Sequence, residues 1–219
     1  MIAGWPCPPS GAREYALAID HDRPRRLLVV PALFDEANRL RRFTVEALRA
    51  LDAAGVDALL PDLPGTNESL ASLAAQSLET WREAMAAAAL HFGATHVLAL
   101  RGGALVAPNL PGWALAPVGG AAVLRQMLRV RLLSAREAGQ TESREELLET
   151  ARHEGIELAG YPLGAAMIAG LEQAEASPAL APIAQADLGG GALWLRAEPD
   201  EDAAQSARLA QIVAAGLQG

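Results

Sequence analysis

The sequence contains no lysine, because all 18 of its basic residues are arginines. Chemistry that needs a lysine amine is therefore excluded, including Schiff-base formation and the phosphate-binding lysines of P-loop and kinase sites. Aromatic residues make up only 4% of the chain, and its longest apolar stretches, such as residues 84–90, are far shorter than a membrane-spanning helix. The sequence predicts a protein with no membrane span.

Cysteine and histidine are also scarce. Cys7 is the single cysteine and forms no internal disulfide, which favours a reducing, cytoplasmic location. The four histidines lack metal-ligand spacing, so the sequence implies no metal site, and it implies no cofactor. The N-terminus has neither the basic region nor the apolar core of a secretory signal. With 26 acidic against 18 basic residues, the net charge of −8 argues against nucleic acid as a partner.

What the sequence does contain is an alternation of short apolar runs with helical stretches over 219 residues. This pattern is typical of an α/β fold in which a mostly parallel central sheet is flanked by helices, and the length fits one domain, residues 1–219. Strands are predicted at residues 15–20, 26–31, 56–60, 95–100, 113–116 and 192–196. Helices are predicted from residue 38 to Gly55 and at residues 72–92 and 201–217, the second of these capped by Ser72.

The pattern changes between residues 119 and 160. Two helices are predicted there, at residues 123–136 and 143–153, and we interpret the segment as a small helical cap inserted over one end of the sheet. The first of these helices carries Arg125 and Arg129 on one face. They form either a basic rim that attracts an anionic ligand or a solvated face paired with nearby glutamates.

The most informative segment is residues 95–104, where an apolar strand runs directly into small residues and a predicted helix. This is the pattern of a nucleophile elbow, G-x-S-x-G, but Ala99 stands at the first glycine and Arg101 at the serine. Arginine remains protonated and cannot act as a nucleophile. Arg101 can bind an anion beside the N–H groups of the next helix, or it can pair internally with Asp35, Glu36 or Asp62.

Several blocks of sequence resemble one family in order. They are PALFDEANR with the following Arg41-Arg42, the turn DLPGTNES from Asp62, LRGGA at the elbow, PVGG from Pro117, LRQMLRVR from Leu124, and AGY from Ala159. Together they resemble the α/β-hydrolase superfamily and, within it, the second of the two hydrolase families associated with the exosortase A system, in which arginine also replaces the elbow serine. Asn67 and Ala99 depart from that pattern, since each replaces a glycine.

The resemblance implies an α/β-hydrolase-like fold and a supporting role in exopolysaccharide and exosortase-linked systems. It also places a ligand site on the loops that follow the central strands. The residues expected there are Leu33, Phe34, Asp35, Glu36, Asn38, Asp62, Arg101, Gly102 and Gly103.

No histidine follows His153, so the general base that a catalytic triad needs is missing along with the nucleophile. Three hypotheses remain. The first is a catalytically degenerate hydrolase, a pseudoenzyme that binds a small anionic or acyl-type ligand at Arg101. The second is a hydrolase of unusual mechanism in which Asp35, Glu36 or Asp62 activates water. The third is a non-enzymatic interaction module that binds a second copy of itself, as a homodimer, or a companion enzyme.

Overall fold

The computed structural model describes residues 1–196 and 198–218. Its centre is a seven-stranded sheet. The strands are β1 (Ile2–Cys7), β2 (Ala12–Ile19), β3 (Arg26–Val30), β4 (Asp57–Pro61), β5 (His96–Leu100), β6 (Gly112–Leu115) and β9 (Ala181–Ile183). Their order across the sheet is β1-β2-β4-β3-β5-β6-β9. β1 and β2 are antiparallel to their neighbours, whereas the other five strands run parallel to one another. The expectation of a mostly parallel central sheet flanked by helices is confirmed.

Helices cover both faces of the sheet. They are α1 (Asp35–Ala53), α2 (Leu78–His91), α3 (Gly120–Glu137), α4 (Arg144–Glu154), α5 (Ala165–Gln173), the short α6 (Gln185–Leu188) and α7 (Ala203–Gly216). Single 3-10 turns lie at Leu73–Ala75, Arg101–Leu105 and Leu193–Leu195. In the described part of the chain, no helix has both the length and the apolar character that crossing a membrane requires.

The core is divided by the sheet into two apolar layers. On one face the side chains of α1 and α7, such as Phe43 and Val213, pack against alternate residues of the parallel strands. On the other face α2, α3 and α5 contribute Trp81, Leu128 and Met167. The central parallel strands β3, β4 and β5 are buried on both faces, which explains why the sequence shows continuous apolar runs there instead of alternation.

The segment between β6 and β9 contains the region predicted as a cap. It includes α3 and α4, followed by a two-stranded hairpin, β7 (Ile156–Leu158) and β8 (Tyr161–Leu163), and then α5. α5 packs against α3, α4 and α2, so this segment shares the α2 side of the core.

The prediction of a strand at residues 192–196 is wrong. Leu193–Leu195 form a 3-10 turn, and the last strand of the sheet is β9. Leu193 and Trp194 are buried against α1, whereas Leu195 is 70% exposed. The apolar run therefore reflects packing on a helix and not pairing with a neighbouring strand.

Cys7 is the buried last residue of β1, and burial raises the pKa of its thiol. One prediction about the beginning of a helix is also wrong. Ser72 was expected to cap the long helix, but that helix begins later and its cap is Ser77, which forms a reciprocal capping box with Thr80.

Candidate functional site

The candidate site lies at the carboxyl ends of β3, β4 and β5. β3 lies between β4 and β5. The chain therefore passes from β3 to β4 on one side of it and later crosses to β5 on the other side. Crevices at such a point of reversal are the usual ligand sites of open α/β sheets. Two cavities lie there, and the loop that follows β3 contributes residues to both.

Arg101 lies at the end of β5, where the sequence pattern predicts a nucleophile elbow. It follows β5 directly and has a φ of 54°, a left-handed conformation that is costly for a residue with a side chain. The strained turn expected of an elbow is therefore present. It leads only into the 3-10 turn and not into an α-helix, because the chain reaches Pro108 shortly afterwards. The expectation of a helix beginning directly after the strand is met only by this short 3-10 turn.

The guanidinium of Arg101 is held from three sides. Nε and Nη2 donate to the two carboxylate oxygens of Glu36, each at 3.1 Å, and Nη1 donates to the carbonyl oxygen of Ala116 at 2.6 Å. The guanidinium carbon lies 4.2 Å from the centroid of the Trp194 ring, within the range of a cation–π contact. Of the internal partners considered from the sequence, Glu36 is the one that pairs with Arg101.

A cavity of about 490 Å³ opens beside this ion pair. Its polar end is formed by Arg101–Glu36 and by a second ion pair, Arg39–Asp35, with a nitrogen–oxygen distance of 2.6 Å. The rest of its wall is largely apolar and comes from the loop after β3, the segment before α3 and α3 itself: Leu33, Phe34, Val118, Ala122, Val123, Met127 and Val130. Gln126 and Ser134 of α3 add two polar side chains. We call this the elbow cavity. Its two acids and two arginines neutralise each other.

The two glycines after Arg101 have different roles. Gly102 lines the elbow cavity, whereas Gly103 lies beneath it. A Cβ at Gly103 would clash with the carbonyl oxygen of Pro31, at the end of the neighbouring strand β3. Gly103 thus permits the close approach of two backbones that the elbow requires.

A second cavity, of about 330 Å³, lies between α1 and the turn that follows β4. Its polar wall is formed by Asn38, Arg41, Asp62, Thr66, Asn67 and Tyr161. We call this the Asp62 cavity. Asn38 Nδ2 donates to the hydroxyl oxygen of Tyr161 at 3.0 Å, so α1 and the hairpin of β7 and β8 meet at one edge of the cavity.

Asp62 is the least exposed charged residue of this wall. Only 12% of its side chain is exposed, and burial raises its pKa, although the hydrogen bond from Asn67 and the charge of Arg41 oppose that shift. Asn67 Nδ2 donates to Oδ1 at 2.5 Å, and Arg41 lies 3.8 Å from the same oxygen. Within residues 1–196 and 198–218, no hydrogen bond reaches Oδ2.

Phe34 belongs to the walls of both cavities. Its backbone has a φ of 55°, and its ring packs against Trp81 and Tyr161, with centroids 5.6 and 5.5 Å away. Positive φ is rare outside glycine, and the described residues with this conformation are concentrated here: Phe34, Asn67, Arg101 and Ala159 line the cavities, and Ala116 accepts a bond from Arg101. Such strain is often found at functional sites.

The residues proposed from the sequence thus fall into two groups. The elbow cavity contains Leu33, Asp35, Glu36, Arg101 and Gly102, the Asp62 cavity contains Asn38 and Asp62, Phe34 faces both, and Gly103 lines neither. Tyr161, Trp194 and the Ala116 carbonyl were not proposed. The AGY block pointed to the region of Tyr161, but no local pattern indicated the other two.

The histidines of the described ranges lie away from both cavities. His96 begins β5, at the opposite end of the strand from Arg101, and stacks on Trp113. His153 bonds to Glu149 on the exposed surface of α4, and His21 pairs with Asp52. In the described ranges no histidine lines either cavity, and no group of three potential metal-binding side chains comes together.

After β5 the chain thus makes a strained turn that carries Arg101, at the edge of a mostly parallel sheet flanked by helices. The sequence matches no protein-family model and no curated protein. Solved structures with a similar course of the chain include a thermophilic esterase from Thermogutta terrifontis, with malate bound (17% identity, 84% of this chain and 78% of that one, TM-score 0.49). A second is a proline iminopeptidase-related protein from Thermus thermophilus (23% identity, 70% of this chain and 56% of that one, TM-score 0.46). A third is a carboxylesterase from Bacillus subtilis (18% identity, 74% of this chain and 57% of that one, TM-score 0.37). The chain spans little more than half the length of the last two.

Proposed function

We propose that this protein is a catalytically degenerate α/β hydrolase that binds an acyl-type ligand in the elbow cavity. One observation carries the proposal: the nucleophile position holds an arginine that is locked by Glu36 and Trp194, yet a cavity of about 490 Å³ remains beside it. Cavities of this size and largely apolar character are typical of small-molecule sites.

The walls favour a ligand with an apolar tail and a compact polar head. Val123, Met127 and Val130 on α3 would surround the tail. Arg101 uses three of its five N–H groups in the bonds described above, which leaves two for the head group. Because Glu36 already neutralises Arg101, a carboxylate head would gain hydrogen bonds but little net charge attraction, so multiply charged phosphates are expected to bind less well.

A hydrolase of unusual mechanism is the weaker candidate. Asp35 and Glu36 are each paired with an arginine, which leaves Asp62 as the acid to activate water. Asp62 and Arg101 line different cavities, however, so Arg101 is poorly placed to polarise a substrate bound at Asp62.

The cellular role within this proposal comes from the sequence blocks alone. Their resemblance to the second exosortase A system-associated hydrolase family implies a supporting part in exopolysaccharide and exosortase-linked surface-protein systems, carried out in the cytoplasm. The pseudoenzyme character follows from the missing nucleophile and base.

A matched pair of variants on α3 tests ligand binding. Ala122 lines the elbow cavity, whereas its neighbour Ala121 is exposed and does not. Thermal unfolding should be followed with saturated fatty acids of six to twelve carbons. We expect stabilisation of the wild type and of Ala121→Trp, and its loss in Ala122→Trp. A ligand at 100 times its Kd stabilises by about 2.7 kcal/mol, which amounts to several degrees.

Two results would count against the proposal. Equal stabilisation of both variants would mean that the acids bind elsewhere on the surface. If no fatty acid stabilises the wild type, the elbow cavity is not an acyl site, and a protein interaction, including self-association, becomes the better hypothesis.

A further inference from the structure

The Asp62 cavity is separated from the elbow cavity by Phe34, and it differs from it in chemistry. Nothing in the acyl-binding proposal uses it. Its lining combines groups that can accept hydrogen bonds with groups that can donate them, around partly apolar walls. A ligand that fits this cavity must therefore bond to both kinds of group at once.

The acceptors come from Asp62 and Asn38. Asp62 Oδ2 takes no hydrogen bond from the described residues, and Oδ1 is bonded to Asn67. Asn38 uses an N–H on Tyr161, and its side-chain oxygen receives no bond from the described residues. Two acceptor oxygens thus remain available along the wall.

The donors come from Tyr161 and Arg41. The hydroxyl of Tyr161 accepts from Asn38, so its own O–H remains free to donate. Arg41 lines the cavity near Asp62 and is half-exposed, with only a loose contact of 3.8 Å to that acid. Donor and acceptor groups therefore alternate around the same space.

Charge decides between ligand classes. An anion would meet the carboxylate of Asp62, and a cation would meet the guanidinium of Arg41. A neutral hydroxyl both donates and accepts, so it can bond to either group without repulsion. The aromatic ring of Phe34 and the leucines of the wall would cover the C–H faces of such a ligand.

We propose that the Asp62 cavity is a second binding site, separate from the elbow cavity, for a small neutral polyhydroxylated ligand of monosaccharide size. The volume of about 330 Å³ is at the lower end of the range for small-molecule pockets and suits one sugar ring. The turn after β4, held by the Asp62–Asn67 bond, fixes one wall, and the Asn38–Tyr161 bond fixes the other.

The first turn of α1 provides matched variants for the test. Asn38 lines the Asp62 cavity, whereas the next residue, Arg39, lines the elbow cavity. Binding of D-glucose, D-galactose, D-mannose and myo-inositol should be measured by calorimetry at concentrations up to 100 mM, with sodium acetate and methylammonium chloride as charged probes. Circular dichroism establishes that each variant is folded.

We expect at least one neutral probe to bind the wild type and Arg39→Ala equally. Its Kd should rise at least tenfold in both Asn38→Ala and Asp62→Asn. The proposal is overturned if no neutral probe binds by 100 mM, if a charged probe binds in preference, or if Arg39→Ala weakens binding as much as Asn38→Ala does. The fatty-acid experiment on Ala122→Trp is independent, so either site can fail alone.

Discussion

Glu36 and Arg101 form a two-pronged ion pair at the elbow, with both nitrogen–oxygen distances at 3.1 Å. About one-seventh of each side chain is exposed, so the pair is mostly desolvated. Glu36 lies at the start of α1 and Arg101 follows β5, so the pair joins the two loops on which a hydrolase would build its oxyanion hole and its nucleophile.

Removing one partner of this pair should cost more stability than removing both. Arg101→Ala leaves Glu36 desolvated and unpaired and also removes the contact with Trp194, so we expect a loss of about 2–3 kcal/mol. Urea unfolding of Arg101→Met, Glu36→Leu and the double variant should give a coupling energy of about 3 kcal/mol, because the double variant should lose less stability than either single variant. Additive losses would contradict the view that the pair acts as a unit.

A serine placed at position 101 should not give the protein hydrolytic activity. In Arg101→Ser the hydroxyl would have no histidine to take its proton, because none lines the elbow cavity in the described part of the chain. We expect hydrolysis of p-nitrophenyl butyrate at the same rate as by Arg101→Ala, which opens the cavity equally without adding a nucleophile. A tenfold higher rate in the serine variant would reveal a base that the structure does not place there.

The elbow could be predicted from sequence because its signal is local. A buried strand that runs into Gly102 and Gly103 specifies the turn, and the structure has positive φ at Arg101. Its partner could not be chosen among Asp35, Glu36 and Asp62, since the contact joins residues 65 positions apart in the chain.

Two other features depend on packing that the sequence does not display. Trp194 lies in a segment whose apolar residues are typical of a strand, and only its burial against α1 makes it a cover for Arg101. Phe34 lines both cavities and has a positive φ, and no residue pattern indicates this conformation. Asp62 and Arg101 were therefore grouped into one expected site.

Asp62→Asn should change how stability depends on pH. Burial holds the pKa of Asp62 above its ordinary value in the folded state, so the folded protein binds more protons than the unfolded chain. The carboxyl therefore makes stability fall as pH rises from the unfolded pKa through the folded one. We expect the melting temperature of Asp62→Asn relative to wild type to increase between pH 3.5 and pH 7. A constant difference would mean that burial does not govern this carboxyl.

Asp20 should show the opposite dependence. Hydrogen bonding to Arg26, which lies 2.6 Å away, holds the pKa of Asp20 well below its ordinary value of 3.8. Its contribution is fully present above the unfolded pKa and is lost as pH falls toward the folded one. Asp20→Asn should therefore be less stable than wild type at pH 7. The difference between their free energies of unfolding should narrow as pH falls from about 4 to 2.

Urea unfolding over that range checks this expectation, and the structure indicates why Asn is a fair replacement. Arg26 also bonds to the buried Asp57 at 3.2 Å and to the carbonyl oxygen of Phe92 at 2.7 Å, so its side chain stays in place when Asp20 loses its charge. If the difference in free energy of unfolding stays constant with pH, the lower stability of Asp20→Asn comes from lost hydrogen-bond geometry and not from lost charge. A difference that widens in acid would reverse the sign of the linkage and exclude Arg26 as its cause.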